Sequence, residues 1–299
     1  SLSLPIAPQH SVTIMFRLIA VVLTLLSVTV ASAQTQVPST SRLKTIANTK
    51  TIKLAYRTDA RPFSFVNEKN EPVGFTIDIC KLVVISIERQ LGVSLKTEWV
   101  PVNVQTRFTT VASGKADMEC GSSTVTLGRM KEVDFSNFIF VESTGMVVTR
   151  ASNIRTFTDM AGKRIAVAAG TTNEQAIISQ LKQQKIEATI VSVKDGSEAI
   201  AMLEDGKADG FASDKLLLVG APMKNPQALV MLPDDLSVEP YAITLPRGDW
   251  ALRLAVNTGL AEIYRSGQVV VIFKGWFDRI GMQMSPVLRI MYGLGSLSD

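Results

Sequence analysis

The chain has 299 residues, 46% hydrophobic and 19% charged, enough for one two-lobed protein or two small domains. Its 31 basic and 27 acidic residues give a net charge of +4, and no block of one sign stands out, which argues against a nucleic-acid partner. The single histidine, His10, lies in the leader, so the exported chain can run neither Ser-His-Asp nor Cys-His catalysis, and no metal site is expected.

Residues 15–33 read as a secretory signal. Met15-Phe16-Arg17 is its positive start, residues 18–30 are its apolar run, and Ala31-Ser32-Ala33 is a small-residue cleavage site before Gln34. The apolar run is short for a bilayer span. Residues 1–14 precede the start that Met15 suggests. The residue directly after the cleavage site is Gln34 and not cysteine, so no lipid anchor is expected. An unanchored exported protein stays with its cell only behind an outer membrane, which points to a periplasm.

Residues 34–50 read as a mobile polar arm. Residues 51–56 alternate and predict a strand, 57–62 a loop, 63–65 an extended piece and 68–72 a turn. A helix follows over 77–91, a strand over 94–100 and a helix over 104–113. No element is assigned over 130–142, and 143–149 is extended. A second βα series then runs on: a short helix at 157 closed by Gly162, strand 165–169, a helix opened by residues 170–174, strand 189–193, helix 197–203, strand 210–213 and helix 215–219. Residues 237–245 are extended, and helices cover 249–264 and 268–277. The plan is lobe one over 51–147 and 243–299, with lobe two over 148–242 between them.

One segment carries chemistry. A strand through Asp117-Met118-Glu119-Cys120 meets Gly121, then Ser122, Ser123 and Thr124, and Arg129 follows at the start of a short helix. Gly121 lets the backbone turn. The hydroxyls supply donors and acceptors at a strand's carboxyl end. Arg129 can hold a carboxylate with a two-pronged pair. These are parts of a socket for a small zwitterion, with no activated nucleophile among them. The helix start Gly170-Thr171-Thr172-Asn173-Glu174 suits an anion. The chain also echoes itself: Gly114-Lys115-Ala116-Asp117 and Gly206-Lys207-Ala208-Asp209 each close a helix and open a strand. Two like lobes would face both polar clusters into one cleft, because ligands of open α/β sheets bind at strand carboxyl ends. Cys80 and Cys120, the two cysteines, are compatible with a disulfide in an oxidising compartment and equally with two buried small hydrophobes.

In order along the chain, Tyr56-Arg57, Pro62-Phe63-Ser64, Val73-Gly74-Phe75, Gln105-Thr106-Arg107, the Glu119–Arg129 segment, Gly170–Glu174, Ser213-Asp214 and Glu239-Pro240-Tyr241 resemble the polar amino-acid group of solute-binding proteins (family 3) that serve ABC importers. The likeness is strongest to glutamate/aspartate-binding proteins. It implies an α/β, two-lobed periplasmic-binding-protein fold of type II, each lobe a mixed sheet flanked by helices, joined by a two-strand hinge. It also implies a monomer that binds an amino acid, uses no cofactor and delivers its cargo to a membrane permease.

The resemblance further implies site roles. Arg129 takes the ligand's α-carboxylate, helped by Thr124 and by the backbone of Gly170, Thr171 and Thr172. Asp214 pairs with the α-ammonium, helped by Ser122. Arg57 and Arg107 face the side-chain carboxylate. Each has a plainer role open to it: a local ion pair for Arg57, a surface position for Arg107, a helix cap for Asp214. Ser123 and Phe63 are expected in the structure more than in the site, and so is Phe65. One departure stands out, because the acidic amino-acid group carries a histidine where this chain has Gly196. A polar amide ligand, or a dehydratase-like enzyme on the same scaffold, are the alternatives to an acidic amino acid. Glu119 and Asp214 are the acid/base candidates for such an enzyme.

Overall fold

The structure is a computed structural model and is described over residues 37–298. The signal segment and its cleavage site lie outside the described residues. The expected arm is a helix over much of its length. Arg42–Thr49 is helical, capped by Ser41, whose side chain accepts the Leu43 amide. Ser41 Oγ also donates to Asp249 at 2.6 Å, and Arg42 Nε donates to Asp117 at 2.8 Å. Those long-range bonds, with buried Leu43 and Ile46, hold a segment whose composition alone reads as loose.

Thirteen strands are described. They are β1 (Thr51–Arg57), β2 (Asp59–Ala60), β3 (Ser64–Val66), β4 (Pro72–Val73), β5 (Lys96–Val102), β6 (Met118–Glu119), β7 (Val133–Glu142) and β8 (Thr144–Thr149). The rest are β9 (Arg164–Ala168), β10 (Thr189–Val193), β11 (Gly210–Asp214), β12 (Leu229–Met231) and β13 (Glu239–Pro246). They build one sheet in the order β5-β1-β6-β13-β7 and another in the order β10-β9-β11-β8-β12, with a small β2-β3-β4 sheet beside them. In the first sheet β1 pairs in parallel with β5 and β6, while β13 runs antiparallel to β6 and β7. In the second, β9 pairs in parallel with β10 and β11, while β8 runs antiparallel to β11 and β12. This is the two-lobed mixed α/β class expected.

The sequence echo has a structural meaning. Gly114 and Gly206 both take positive φ, at 75° and 67°. The strands that follow, β6 and β11, fill the same middle slot of the two sheets. The aspartates entering them make the same two-way clasp. Asp117 Oδ2 accepts the Lys53 amide at 2.7 Å and its own amide donates to Lys53 O at 2.8 Å. Asp209 Oδ2 accepts the Arg164 amide at 2.8 Å and its own amide donates to Arg164 O at 2.8 Å.

The chain changes sheet at Ser143 and returns over residues 232–238, because β8 belongs wholly to the second sheet and β13 wholly to the first. Both changes come a few residues before the expected lobe limits at 147/148 and 242/243. β7 fills the stretch left without an assignment. Register shifts at Tyr241/Ala242 and Ala242/Thr244 break its pairing with β13, and such bulges spoil a clean period-two pattern. The helix Pro286–Gly295 also went unassigned; it follows Ser285, whose side chain accepts the Leu288 amide.

The first core is aromatic. Phe63 lies 4.9 Å from Phe140 and 5.1 Å from Tyr241, centroid to centroid, with Phe75 and Phe277 against it. Each such ring contributes about 1.5–3 kcal/mol by burial. Gly74 opens the helix Phe75–Leu91 because a Cβ there would sit 2.2 Å from Phe63 O. Cys80 on that helix is disulfide-bonded to Cys120 after β6, which settles the two readings of that pair. The second sheet is buried on both faces, by clusters around Phe157 and Leu181 and around Ile200 and Phe211.

Candidate ligand-binding site

The carboxyl ends of β1, β9 and β11, the turn after β6 and the starts of the helices at 107, 172 and 196 converge on one cavity of about 490 Å3. A cleft of that size falls in the range of small-molecule sites. Arg57, Arg107, Ser122, Thr124, Thr171, Thr172 and Asp214 all line it.

Two guanidiniums face the cavity from the first sheet. Arg57, 5% exposed, donates from Nε to Asp59 at 2.8 Å and still lines the cavity, so a local ion pair and a site position coexist. Arg107 is no surface residue, being 4% exposed at the start of the helix Arg107–Ala112. Its Nη1 donates to Ser122 O at 3.5 Å, while its buried Nε has no partner. Burial above all, then the charges of Arg129 and Arg57, pull its pKa down to about 9, against the opposing pull of Glu119 and Asp214. It stays charged at neutral pH.

Asp214 ends β11. It sits at the helix N-cap position of Lys215–Gly220, yet its side chain makes no capping bond. Its Oδ1 accepts from Asn173 Nδ2 at 2.7 Å, and its Oδ2 accepts from the Tyr241 phenol. Burial, followed by the Glu239 charge, raises its carboxyl to about 6, with the Tyr241 and Asn173 bonds and Arg107 opposing. Asn173 also donates to Thr144 at 2.8 Å, and Thr144 donates to Glu239 at 3.2 Å. Glu239 accepts from Thr124 Oγ1 at 2.7 Å on its other oxygen.

Arg129 stands apart from the other seven. It does not line the cavity but lies behind Thr124, donating from Nη1 to Thr124 O at 2.7 Å. Its guanidinium rests 4.8 Å from the Phe108 ring centre, and that of Arg107 rests 4.7 Å from it. Burial lowers the Arg129 pKa, and Glu239 leads the charges that oppose it. On the opposite side, the Gly170 amide is already taken by Glu174 Oε2 at 2.9 Å, so the donor that the resemblance implied there is spent. The Thr171 hydroxyl is likewise committed, accepting the Glu174 amide and donating to Ala168 O at 2.7 Å. Thr172 Oγ1 reaches Thr124 Oγ1 at 3.5 Å, across from one sheet's side to the other's.

Ser123 is fully buried and donates to Glu119 at 2.7 Å, facing the structure. Phe63 is core, whereas Phe65 lines the cavity with Arg61 stacked on it at 4.1 Å. Gly196 lines the cavity too, and a Cβ there would meet only Phe211 at an ordinary 3.5 Å, so the position would take a side chain without a clash. Asn173, Glu239 and Tyr241 are the members that sequence reasoning missed as site residues. Glu239 and Tyr241 stood in a recognised segment but carried no role, because nothing local shows that they meet Asp214.

A family model of bacterial extracellular solute-binding proteins, family 3, matches residues 52–279. The chain is 36% identical over 244 residues to an L-glutamate/L-aspartate-binding protein of Pseudomonas aeruginosa, covering 80% of this chain and 81% of that one. It is 30% identical to a glutamate/aspartate import solute-binding protein of Salmonella typhimurium, covering 84% and 85% of the two chains. Among solved structures it is similar to an ancestral amino acid-binding protein described as a precursor of cyclohexadienyl dehydratase. That match has TM-score 0.68 and 26% identity, covering 79% of this chain and 99% of that one. A match over residues 52–279, most of the chain, with the sheet order and the cleft between the sheets behind it, makes this protein a member of the bacterial extracellular solute-binding proteins, family 3.

Proposed function

We propose that this protein binds glutamate or aspartate in the periplasm and delivers it to the permease of an ABC importer. The observation that carries the reading is one cavity holding the Arg57 and Arg107 guanidiniums beside the Asp214 carboxylate. A dicarboxylic amino acid carries two negative groups and one positive, and a desolvated pocket must meet each with its opposite. Asp214, held by Asn173 and Tyr241, takes the α-ammonium. Arg57 and Arg107 take the side-chain carboxylate. Arg129, behind Thr124 at the cavity's edge, takes the α-carboxylate as the lobes close: among the described residues only its Nη1 donates a side-chain hydrogen bond, to the Thr124 carbonyl, so the rest of its fork is available. The two sheets act as lobes that close about the crossings at Ser143 and residues 232–238, and the closed form is what a permease recognises.

Two relatives named for glutamate and aspartate support the ligand class. Calorimetric titration of glutamate, aspartate, glutamine and asparagine tests it. The acids are expected to bind at least roughly tenfold tighter than the amides, about 1.4 kcal/mol. Arg107→Ala should erode that preference more than it erodes affinity for the amides. Equal affinity for glutamate and glutamine would overturn the acidic reading and leave an amide-binding protein. Turnover of the ligand into a product would instead favour an enzyme on this scaffold.

A further inference from the structure

Glu119 is a completely buried acid near the cavity whose charge the proposed ligand scheme does not use. It sits on β6, paired with Ala55 of β1 and Thr244 of β13, and is completely buried. Its Oε2 is fixed by two hydroxyls, Ser123 Oγ at 2.7 Å and Thr244 Oγ1 at 2.8 Å. Its Oε1 has no hydrogen-bond partner. A buried carboxylate oxygen left unpaired is costly and calls for a reason.

The surroundings of Oε1 supply one. It is packed against Gly121, where an added Cβ would lie 1.9 Å from Oε1 and 3.3 Å from Arg57 Cγ. The turn into the Ser122–Thr124 loop is therefore glycine partly because Glu119 occupies the space a side chain would need. Glu119 raises the pKa of both Arg107 and Arg129, so its charge is felt at both guanidiniums. Among the described residues it forms no ion pair with either, or with Arg57. It stands behind Arg107 and Arg129 as a counter-charge without direct contact.

We infer that Glu119 is a specificity-determining positioning residue: its carboxylate, fixed at Oε2 and unpartnered at Oε1, offsets part of the charge of Arg107 and Arg129 and so limits how strongly the cavity prefers an extra carboxylate on the ligand. The inference rests on the proposed acidic amino-acid site. Without a counter-charge, the guanidiniums of Arg57 and Arg107 on the cavity wall and of Arg129 behind it would attract any polyanion. With it, the site suits a ligand bearing a single carboxylate more than its zwitterionic core. Charge acts over the several ångströms involved because the surroundings are buried and weakly screened.

The test is the ratio of glutamate to glutamine affinity, measured by calorimetry in wild type, Glu119→Gln and Glu119→Asp. Glutamine at 119 keeps an oxygen for Ser123 and Thr244 but removes the charge, and the ratio should rise roughly tenfold. Aspartate draws the charge back by one methylene and should raise the ratio roughly two- to threefold. A merely structural role would lower both affinities together and leave the ratio alone. An unchanged or lower ratio in Glu119→Gln overturns the inference. Should that variant fail to fold, an unchanged or lower ratio in Glu119→Asp does so. Equal affinities in wild type overturn the acidic reading by itself, while a rise on substitution would still support the role of Glu119. Binding of neither ligand by wild type overturns both.

Discussion

Tyr241 on β13 and Asp214 at the end of β11 join the two sheets directly, the phenol donating to Asp214 Oδ2 while Asn173 holds Oδ1. The carboxylate is thereby aimed before any ligand arrives. Burial and the nearby Glu239 still hold its pKa up at about 6, so its charge is lost within a mildly acidic range.

Amino-acid binding should therefore weaken as pH falls through about 6, since the protonated carboxyl no longer pairs with an ammonium. Each pH unit below the pKa costs up to about tenfold in affinity. Asp214→Asn should bind on the order of 3–5 kcal/mol more weakly and lose that pH dependence. Titrations at pH 5, 6 and 7 check both. Affinity unchanged across that range would remove Asp214 from the ammonium role.

Glu142, the last residue before the crossing at Ser143, makes a second pH prediction. Its Oε1 accepts the Leu216 amide at 2.9 Å from across the junction. Burial raises its carboxyl from an ordinary 4.5 to about 8, with Asp214 and Asp235 adding to the rise and the Leu216 bond and Lys215 opposing it. A raised folded-state pKa gives stability that is fully present below about 4.5 and is lost as pH rises through about 8. Glu142→Gln keeps the bond to Leu216 without the titration. The ligand-free variant should match wild type near pH 4.5 and be more stable at pH 8 by several kcal/mol. Denaturant melts at the two pH values measure it, and an equal pH slope in both proteins would refute it.

Removing the Arg129 fork should cost every amino-acid ligand alike. Arg129→Ala is expected to lose on the order of 3–5 kcal/mol of binding, and Arg129→Lys should recover little, because an ammonium is a point charge. Binding of Arg129→Ala within tenfold of wild type would show that a guanidinium on the cavity wall, Arg107 or Arg57, holds the α-carboxylate instead.

The Cys80–Cys120 bond closes a loop with a sequence separation of 40. The chain-entropy model puts its stabilisation at about 4 kcal/mol for such a loop. Cys80→Ser with Cys120→Ser should lower the denaturant midpoint accordingly, while ligand selectivity stays as in wild type because neither sulfur lines the cavity. A double variant as stable as wild type would contradict the loop-closure account.

The outline of the fold was legible because its signals are local. Strands 51–57 and 189–193, and the helix Gln268–Phe277, follow from periodicity within a few residues. Gly114 and Gly206 announced matching units because a positive φ after a helix favours glycine. The arm at 42–49 was misread because its order comes from Asp117 and Asp249, far off in sequence. β7 was passed over because its bulged pairing with β13 blurs the alternation.

The sequence by itself determined the order of the elements, and with the family resemblance it offered Arg57, Arg107, Ser122, Thr124, Arg129 and Asp214 as candidates to meet a small zwitterion. Only the tertiary structure decided which side chains hold them and which donors are already spent. Asn173 reaches Asp214 across 41 residues, and Glu119 accepts Thr244 across 125. Gly170 and Thr171 look available in sequence, yet Glu174 and Ala168 occupy them. Periodicity and turn chemistry act between near neighbours and are written along the chain. Hydrogen bonding and charge act between groups that only the packed sheets bring within a few ångströms, so their partners appear only once the chain has folded.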